Sequence, residues 1–112
     1  METLTLIKKA IREQKAMSFT YDMPDKASGT RFGNPHAIFR VSSKSGRRST
    51  KVHIVQTGGV SENEKLSPKS NFIVFDIRYI NNVQVKSKQD SFEIDHRYNP
   101  NLFTYQDLVQ KI

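Results

Sequence analysis

Asn71-Phe72-Ile73-Val74-Phe75-Asp76-Ile77-Arg78-Tyr79-Ile80-Asn81-Asn82-Val83-Gln84-Val85 is the most apolar and most β-prone stretch of the chain. Phe72, Ile73, Val74, Phe75 and Ile77 are aromatic or β-branched, a density that predicts a strand buried on both faces near the middle of a small sheet. After Ile77 the pattern thins to Ile80, Val83 and Val85. A turn within Arg78 to Asn82 and a second strand leaving it are therefore expected.

Upstream of this stretch, Leu4, Ile7 and Ile11, flanked by Leu6 and Ala10, recur at helical spacing and predict a helix over Thr3 to Lys15. Lys8, Lys9, Arg12 and Lys15 take its other side, as a solvated exterior or as a phosphate-binding face. Met17-Ser-Phe19-Thr-Tyr21 alternates strictly, the period of a half-buried strand against which the helix would lie. Asp22 to Gly29 reads as a hairpin connection, after which Thr30 to Phe32 resumes pairing. Gly33-Asn34-Pro35 interrupts, because proline donates nothing to a ladder, and His36 to Val41 continues as a strand. Ser42 to Thr50 is a polar loop carrying Lys44, Arg47 and Arg48, a candidate basic finger. Lys51 to Gln56 is a further strand closed by Gly58-Gly59.

Downstream, Ser61 to Ser70 has no periodicity and reads as a mobile loop. Lys86 to Ser91 is an exposed turn, and Phe92 to Ile94 a short extended piece. A terminal helix is expected from Thr104 as N-cap, Asp107 three residues on, and the shared face of Tyr105, Leu108, Val109 and Ile112. These elements compose a mainly β fold with flanking helices: a small, strongly bent Sm/SH3-like β-barrel with an N-terminal helix and a short C-terminal helix.

Composition bounds the function. At 112 residues, with no internal repeat, residues 1–112 read as a single domain with one core. The longest apolar run, Phe72 to Phe75, is far too short to cross a bilayer. No cysteine is present, which excludes disulfides and thiolate chemistry, and no secretory signal is visible, so a cytoplasmic setting is expected. The net charge of +7 favours polyanionic partners. His36, His53 and His96 sit on separate elements without ligand spacing, so no metal is expected. Asp95-His96 is accompanied by no nucleophile motif, phosphate loop or carboxylate pair, so the chain reads as a non-enzyme needing no cofactor.

Taken in order, Leu6-Ile-Lys-Lys-Ala-Ile11, the Met17 to Tyr21 strand, Arg31 followed by Pro35, Phe75-x-Ile77-x-x-Ile80-x-x-Val83, and Asn99-Pro-Asn-Leu-Phe103 resemble a WYL domain. That family consists of Sm-like barrels that serve as ligand-sensing parts of bacterial transcription regulators. The tripeptide that names it falls on Val52-His53-Ile54, where only the aliphatic third position is similar. The family's Phe-Arg-x-Asp-Arg-Ile pattern falls on Phe75-Asp76-Ile77-Arg78-Tyr79-Ile80, with an acid and a tyrosine in place of the two arginines. The resemblance therefore implies a changed ligand-facing set, His53, Asp76, Arg78 and Tyr79, with Arg31 nearby. The helix-turn-helix that usually precedes such a domain has no counterpart in these residues, so operator binding of that kind is not expected.

Charge and resemblance together lead to an expected regulatory module that binds single-stranded nucleic acid or a nucleotide-like anion. The residues expected to carry this are Arg31, Lys44, Arg47, Arg48, Lys51, His53, Arg78 and Tyr79, with the cations on phosphates and Tyr79 either stacking on a base or filling the core. The alternative is a protein–protein interaction module docking on an acidic partner such as a nuclease, polymerase or transcription regulator. A second copy of the chain is a further option as partner, and a membrane is not.

Overall fold

The structure, a computed structural model, describes residues 2–43, 45–60, 71–99, 101 and 107–112. It is mainly β: helix α1 (Thr3–Glu13) is followed by strands β1 (Met17–Tyr21), β2 (Thr30–Ser42), β3 (Arg48–Gly59), β4 (Phe72–Asp76), β5 (Ile80–Val85) and β6 (Asp107–Lys111), with one turn of 3-10 helix (Ile77–Tyr79) between β4 and β5. All pairings are antiparallel, and the sheet runs β4-β3-β2-β1-β5, with β6 also paired to β2.

The helix forms where its apolar stripe predicts it, burying Ile7, Ala10 and Ile11 against Met17, Phe19, Ile38, Val52, Ile54, Phe75 and Ile80. Its end is set by Gln14, which turns into the left-handed region at φ 56° and donates its N–H to Ala10 and Ile11. β1 presents Met17, Phe19 and Tyr21 inward, as its alternation requires.

Four expectations are corrected. The first concerns the decisive stretch: β4 lies at an edge of the sheet, not near its middle, and Val74 is 45% exposed. Its apolar character has another cause, since Phe75 and Ile73 face the main core while Phe72 faces a smaller cluster on the opposite side. The second concerns Pro35, which does not interrupt β2. One edge of β2 is shared end to end, by β1 at Thr30 to Gly33 and by β6 at Ala37 to Arg40. Pro35 sits at the junction between the two partners, where its missing N–H leaves no ladder bond unmade. The register to β3 slips at the following residue, so His36 is an extra residue in a bulge.

The third correction is at the C-terminal end, where residues 107–111 form a strand instead of continuing a helix. Ala37 to Arg40 of β2 need backbone partners on that edge, and pairing overrides the helical spacing of Leu108, Val109 and Ile112. Thr104 and Tyr105, on which the expected helix start rested, lie outside the described residues, as does the loop expected over Ser61 to Ser70. The fourth is closure. Among the described residues no ladder joins β4 to β5, so the sheet is not closed into a barrel. β1 is instead tied to β4 and to the 3-10 turn: Asp76 donates its N–H to the Tyr21 hydroxyl at 3.0 Å, and Asp22 donates its N–H to the Tyr79 carbonyl at 2.8 Å.

The chain after β5 covers the other face of the sheet. Lys86 donates to the Ala16 carbonyl and Phe92 to the Gln14 carbonyl, the latter joined by the Gln14 side-chain amide donating to the Phe92 carbonyl. Residues 93–99 then cross the sheet, and Tyr98 packs with Ala37, Phe39, Val41 and Leu108 in a second small core. No helix among the described residues is long and apolar enough to cross a membrane.

Candidate anion-binding site

Asp76 is the hub of the site. It ends β4, is only 5% exposed, and lies opposite Lys51 in the β3–β4 register. Lys51 Nζ donates to Oδ2 at 3.2 Å, and Arg78, two residues on, donates its backbone N–H to Oδ1 at 3.0 Å, its Nε to both oxygens and its Nη2 to Oδ2 at 2.8 Å. Burial alone would raise the pKa of this carboxyl, but the hydrogen bonds from Arg78 and Lys51 outweigh it and bring the value down to about 2. The fork holds the Arg78 guanidinium 5.2 Å from the centroid of the Tyr79 ring, although the side chain is 67% exposed. An exposed arginine is normally free to rotate. Here its carboxylate and ring fix it at the sheet's open corner.

Beneath this corner the aromatic rings continue inward, edge to face, from Tyr79 to Tyr21 at 6.2 Å, from Tyr21 to Phe75 at 4.8 Å and from Phe75 to Phe19 at 5.3 Å. Beside them a cleft of about 270 Å³ opens between Tyr21, Met23, Lys26, Lys51, Val74 and Asp76.

The residues predicted from sequence separate into groups. Lys51, Arg78 and Tyr79 converge at this corner around Asp76, as described. His53 is on the same face of β3, two residues from Lys51, but its ring stacks on Phe72 at 3.5 Å between centroids and 14° between planes. Desolvation favours the neutral His53 ring and pushes its pKa down to about 4, against a hydrogen bond to the Phe72 backbone that raises it. Arg48 pairs with Asp107 of β6 at 2.9 Å, and Arg47 is exposed in the β2–β3 turn, so neither reaches the corner. Lys44 lies outside the described residues.

Arg31 corrects an expectation outright, because it has no exposed surface and cannot meet a ligand. Its guanidinium donates to Gln56 Oε1 at 3.2 Å and to the Ala27 carbonyl at 3.0 Å, and lies 5.5 Å and 5.6 Å from the centroids of Tyr21 and Phe75. The Gln56 amide in turn donates to the Gly58 and Val60 carbonyls. Arg31 is thus a buried structural cation that ties the β1–β2 connection to the end of β3.

Two features escaped the sequence reading. His36 and His53, expected apart, flank the same ring: His36 lies 5.6 Å from the Phe72 centroid, with Phe92 and Tyr98 also against it. His36 Nδ1 bonds the Asn34 carbonyl and Nε2 accepts from the Asp95 N–H, which fixes the neutral tautomer. The second feature is a repeated local device. Asp95-His96-Arg97 copies the geometry of Asp76-Ile77-Arg78, with the arginine N–H and fork on the aspartate and the guanidinium 5.2 Å from an aromatic centroid, there Phe72. The signal was present as two Asp-x-Arg triplets. At Arg97 the fork is spent on structure, because it also donates to Asn71 Oδ1 at 2.7 Å.

No family model, no characterised protein and no solved structure matches the chain.

Proposed function

We propose that the protein is a non-enzymatic, cytoplasmic regulatory module that binds single-stranded nucleic acid or a nucleotide-like anion at the Lys51–Asp76–Arg78–Tyr79 corner. The observation that carries this reading is the exposed Arg78 guanidinium, pre-positioned by its fork on Asp76 and lying against Tyr79. A guanidinium and a ring held together offer one anion contact and one stacking surface without an ordering cost at binding. Lys51 and Lys26, on the adjoining cleft, add positive charge, and the net charge of +7 supplies long-range attraction. We also propose that the sheet is an opened Sm/SH3-type barrel of WYL-like descent. The strand order β4-β3-β2-β1-β5 and the 3-10 turn between its two edge strands support that reading.

The test is a fluorescence-polarisation titration of single-stranded DNA, RNA and mononucleotides at several salt concentrations. Arg78→Ala is expected to keep the parent's melting temperature within a few degrees. It is expected to weaken binding and to lower the slope of log affinity against log salt by about 0.7, the share of one single-strand phosphate contact. If the parent binds none of these anions at low salt, the reading is wrong, and an acidic protein partner becomes the better description of the basic surface.

A further inference from the structure

On the exposed side of β1, β2 and β5, away from the main core, the side chains are almost all polar. Thr20 of β1, Thr30 of β2, and Asn82 and Gln84 of β5 surround a shallow depression of about 430 Å³, with Lys86 at one end. The exception is Phe32, 43% exposed in the middle of this face. The register places Phe32 beside Ser18, and Ser18 beside Gln84, so ring, hydroxyl and amide form one row across three strands. On the other flank of Phe32 the paired residue is Gly58, whose missing Cβ would have stood 3.6 Å from the ring. The phenyl ring therefore meets backbone on one side and solvent on its free face. A register shift between β1 and β5 brings Asn82 into the left-handed region at φ 55°, where its amide donates to the Thr20 hydroxyl at 3.1 Å.

Phe32 offers solvent a single aromatic face on a sheet otherwise dressed with hydroxyls and amides. A protein partner is a poor match, since interface cores are built from several clustered apolar anchors and this face has one. A nucleobase matches in each respect. It has a π-face for the ring, polar edges for the Asn82 and Gln84 amides and the Thr30 hydroxyl, and an attached phosphate for Lys86. β5 also links this face to the corner already described, running from just after Arg78 and Tyr79 to just before Lys86. At about 3.3 Å per residue that is a track of roughly 20 Å, the scale of the shortest single-strand sites.

We infer that the exposed face of β1, β2 and β5 is a base-stacking platform for single-stranded nucleic acid, with Phe32 as the stacking ring. This rests on the reading that the chain binds single strands, and it adds how bases, as distinct from phosphates, are held. The experiment compares a deoxyadenosine decamer with an abasic decamer of the same charge, titrated against the parent, Phe32→Leu, Phe32→Trp and Arg78→Ala. Phe32→Leu, checked to melt like the parent, is expected to lose roughly five- to a hundredfold in affinity for the adenosine decamer and nothing for the abasic one. Because the chain has no tryptophan, Phe32→Trp introduces a lone reporter, expected to retain affinity and to be quenched by the adenosine decamer only. If both decamers bind the parent alike, or Phe32→Leu binds the adenosine decamer as the parent does, the platform is refuted. Loss of binding in Arg78→Ala would then leave the anion site standing, with Phe32 serving only to cover Gly58. If the parent binds neither decamer, both readings fall.

Discussion

The two faces of the sheet are held by different physics. On the inner face α1 and five strands enclose Ile7, Ile11, Phe19, Ile38, Ile54, Phe75 and Ile80, all essentially without solvent exposure. On the outer face the segment after β5 lies over a smaller and mixed cluster, where Phe72, Phe92 and Tyr98 share space with two neutral histidines and the Asp95–Arg97 fork. The inner face depends on apolar area and is indifferent to pH. The outer face depends on hydrogen bonds made by titratable groups, so the same fold has one side that acid leaves alone and one that it attacks.

The largest effect should come from the inner face. Phe75 touches Phe19 and Tyr21 edge to face, and Phe75→Ala should cost about 3–5 kcal/mol, enough to unfold much of a small domain. Denaturant melts of Phe75→Ala and Phe72→Ala side by side measure the contrast, with Phe72 expected to cost clearly less because it is only partly buried. Equal losses would erase the distinction drawn between the faces.

Acid should act next, and on the outer face first. Burial lowers the pKa of both His36 and His53, the latter from 6.5 to about 4. A base with a depressed folded pKa stabilises the fold above its unfolded value and loses that contribution as pH falls, here from about 6.5 towards 4. Protonation of His36 would put a new N–H against the Asp95 N–H that its Nε2 now accepts. The carboxylates hold out longer: Asp76 and Asp95 are depressed, so their contributions persist above the ordinary value of 3.8 and fade below it, towards about 2 for Asp76. Hydrogen exchange at pH 7 and pH 5 should therefore show lost protection around Asp95 while amides of β1 and the inner positions of β3 stay protected. His53→Phe should flatten the stability slope across that window, and a slope identical to the parent's would remove His53 from the account.

The smallest effect belongs to the rim. Arg48 and Asp107 are both well exposed, so Arg48→Ser should change stability by no more than about 1 kcal/mol, with the remainder vanishing in high salt. A larger loss would mean that this pair, and not the backbone ladder, docks β6 onto β2.

How much the sequence disclosed follows the same division. α1, β1 and the inward residues of β3 were readable because burial on one side imposes a period of 3.6 or 2. The outer face imposes no period. Its residues come from a bulge at His36, an irregular strap at Phe92 to Tyr98 and a strand, β6, whose spacing looked helical. Arg31 was misjudged for a related reason: the resemblance set it near the ligand, and nothing local in Thr30 to Phe32 shows that Gln56, twenty-five residues on, accepts from it. At the candidate site, the resemblance grouped Asp76, Arg78 and Tyr79 with His53, whereas Lys51 was singled out only as one of several cations, and its pairing with Asp76 needed the β3–β4 register. Phe32 was not legible, because a phenylalanine in a strand gives no sign of which face it takes until the register is known.

The divided edge of β2 also joins two loop closures of very different length. Hairpin partners β2 and β3 are joined by a five-residue turn and can zip locally, whereas β6 must find Ala37 to Arg40 from about seventy residues downstream. Until it arrives, that half of the β2 edge offers unpaired backbone and the apolar surfaces of Ala37 and Phe39 to any passing strand. The docking of β6 thus closes a far longer loop than the β2–β3 hairpin, and the backbone edge it covers begins at the junction marked by Pro35.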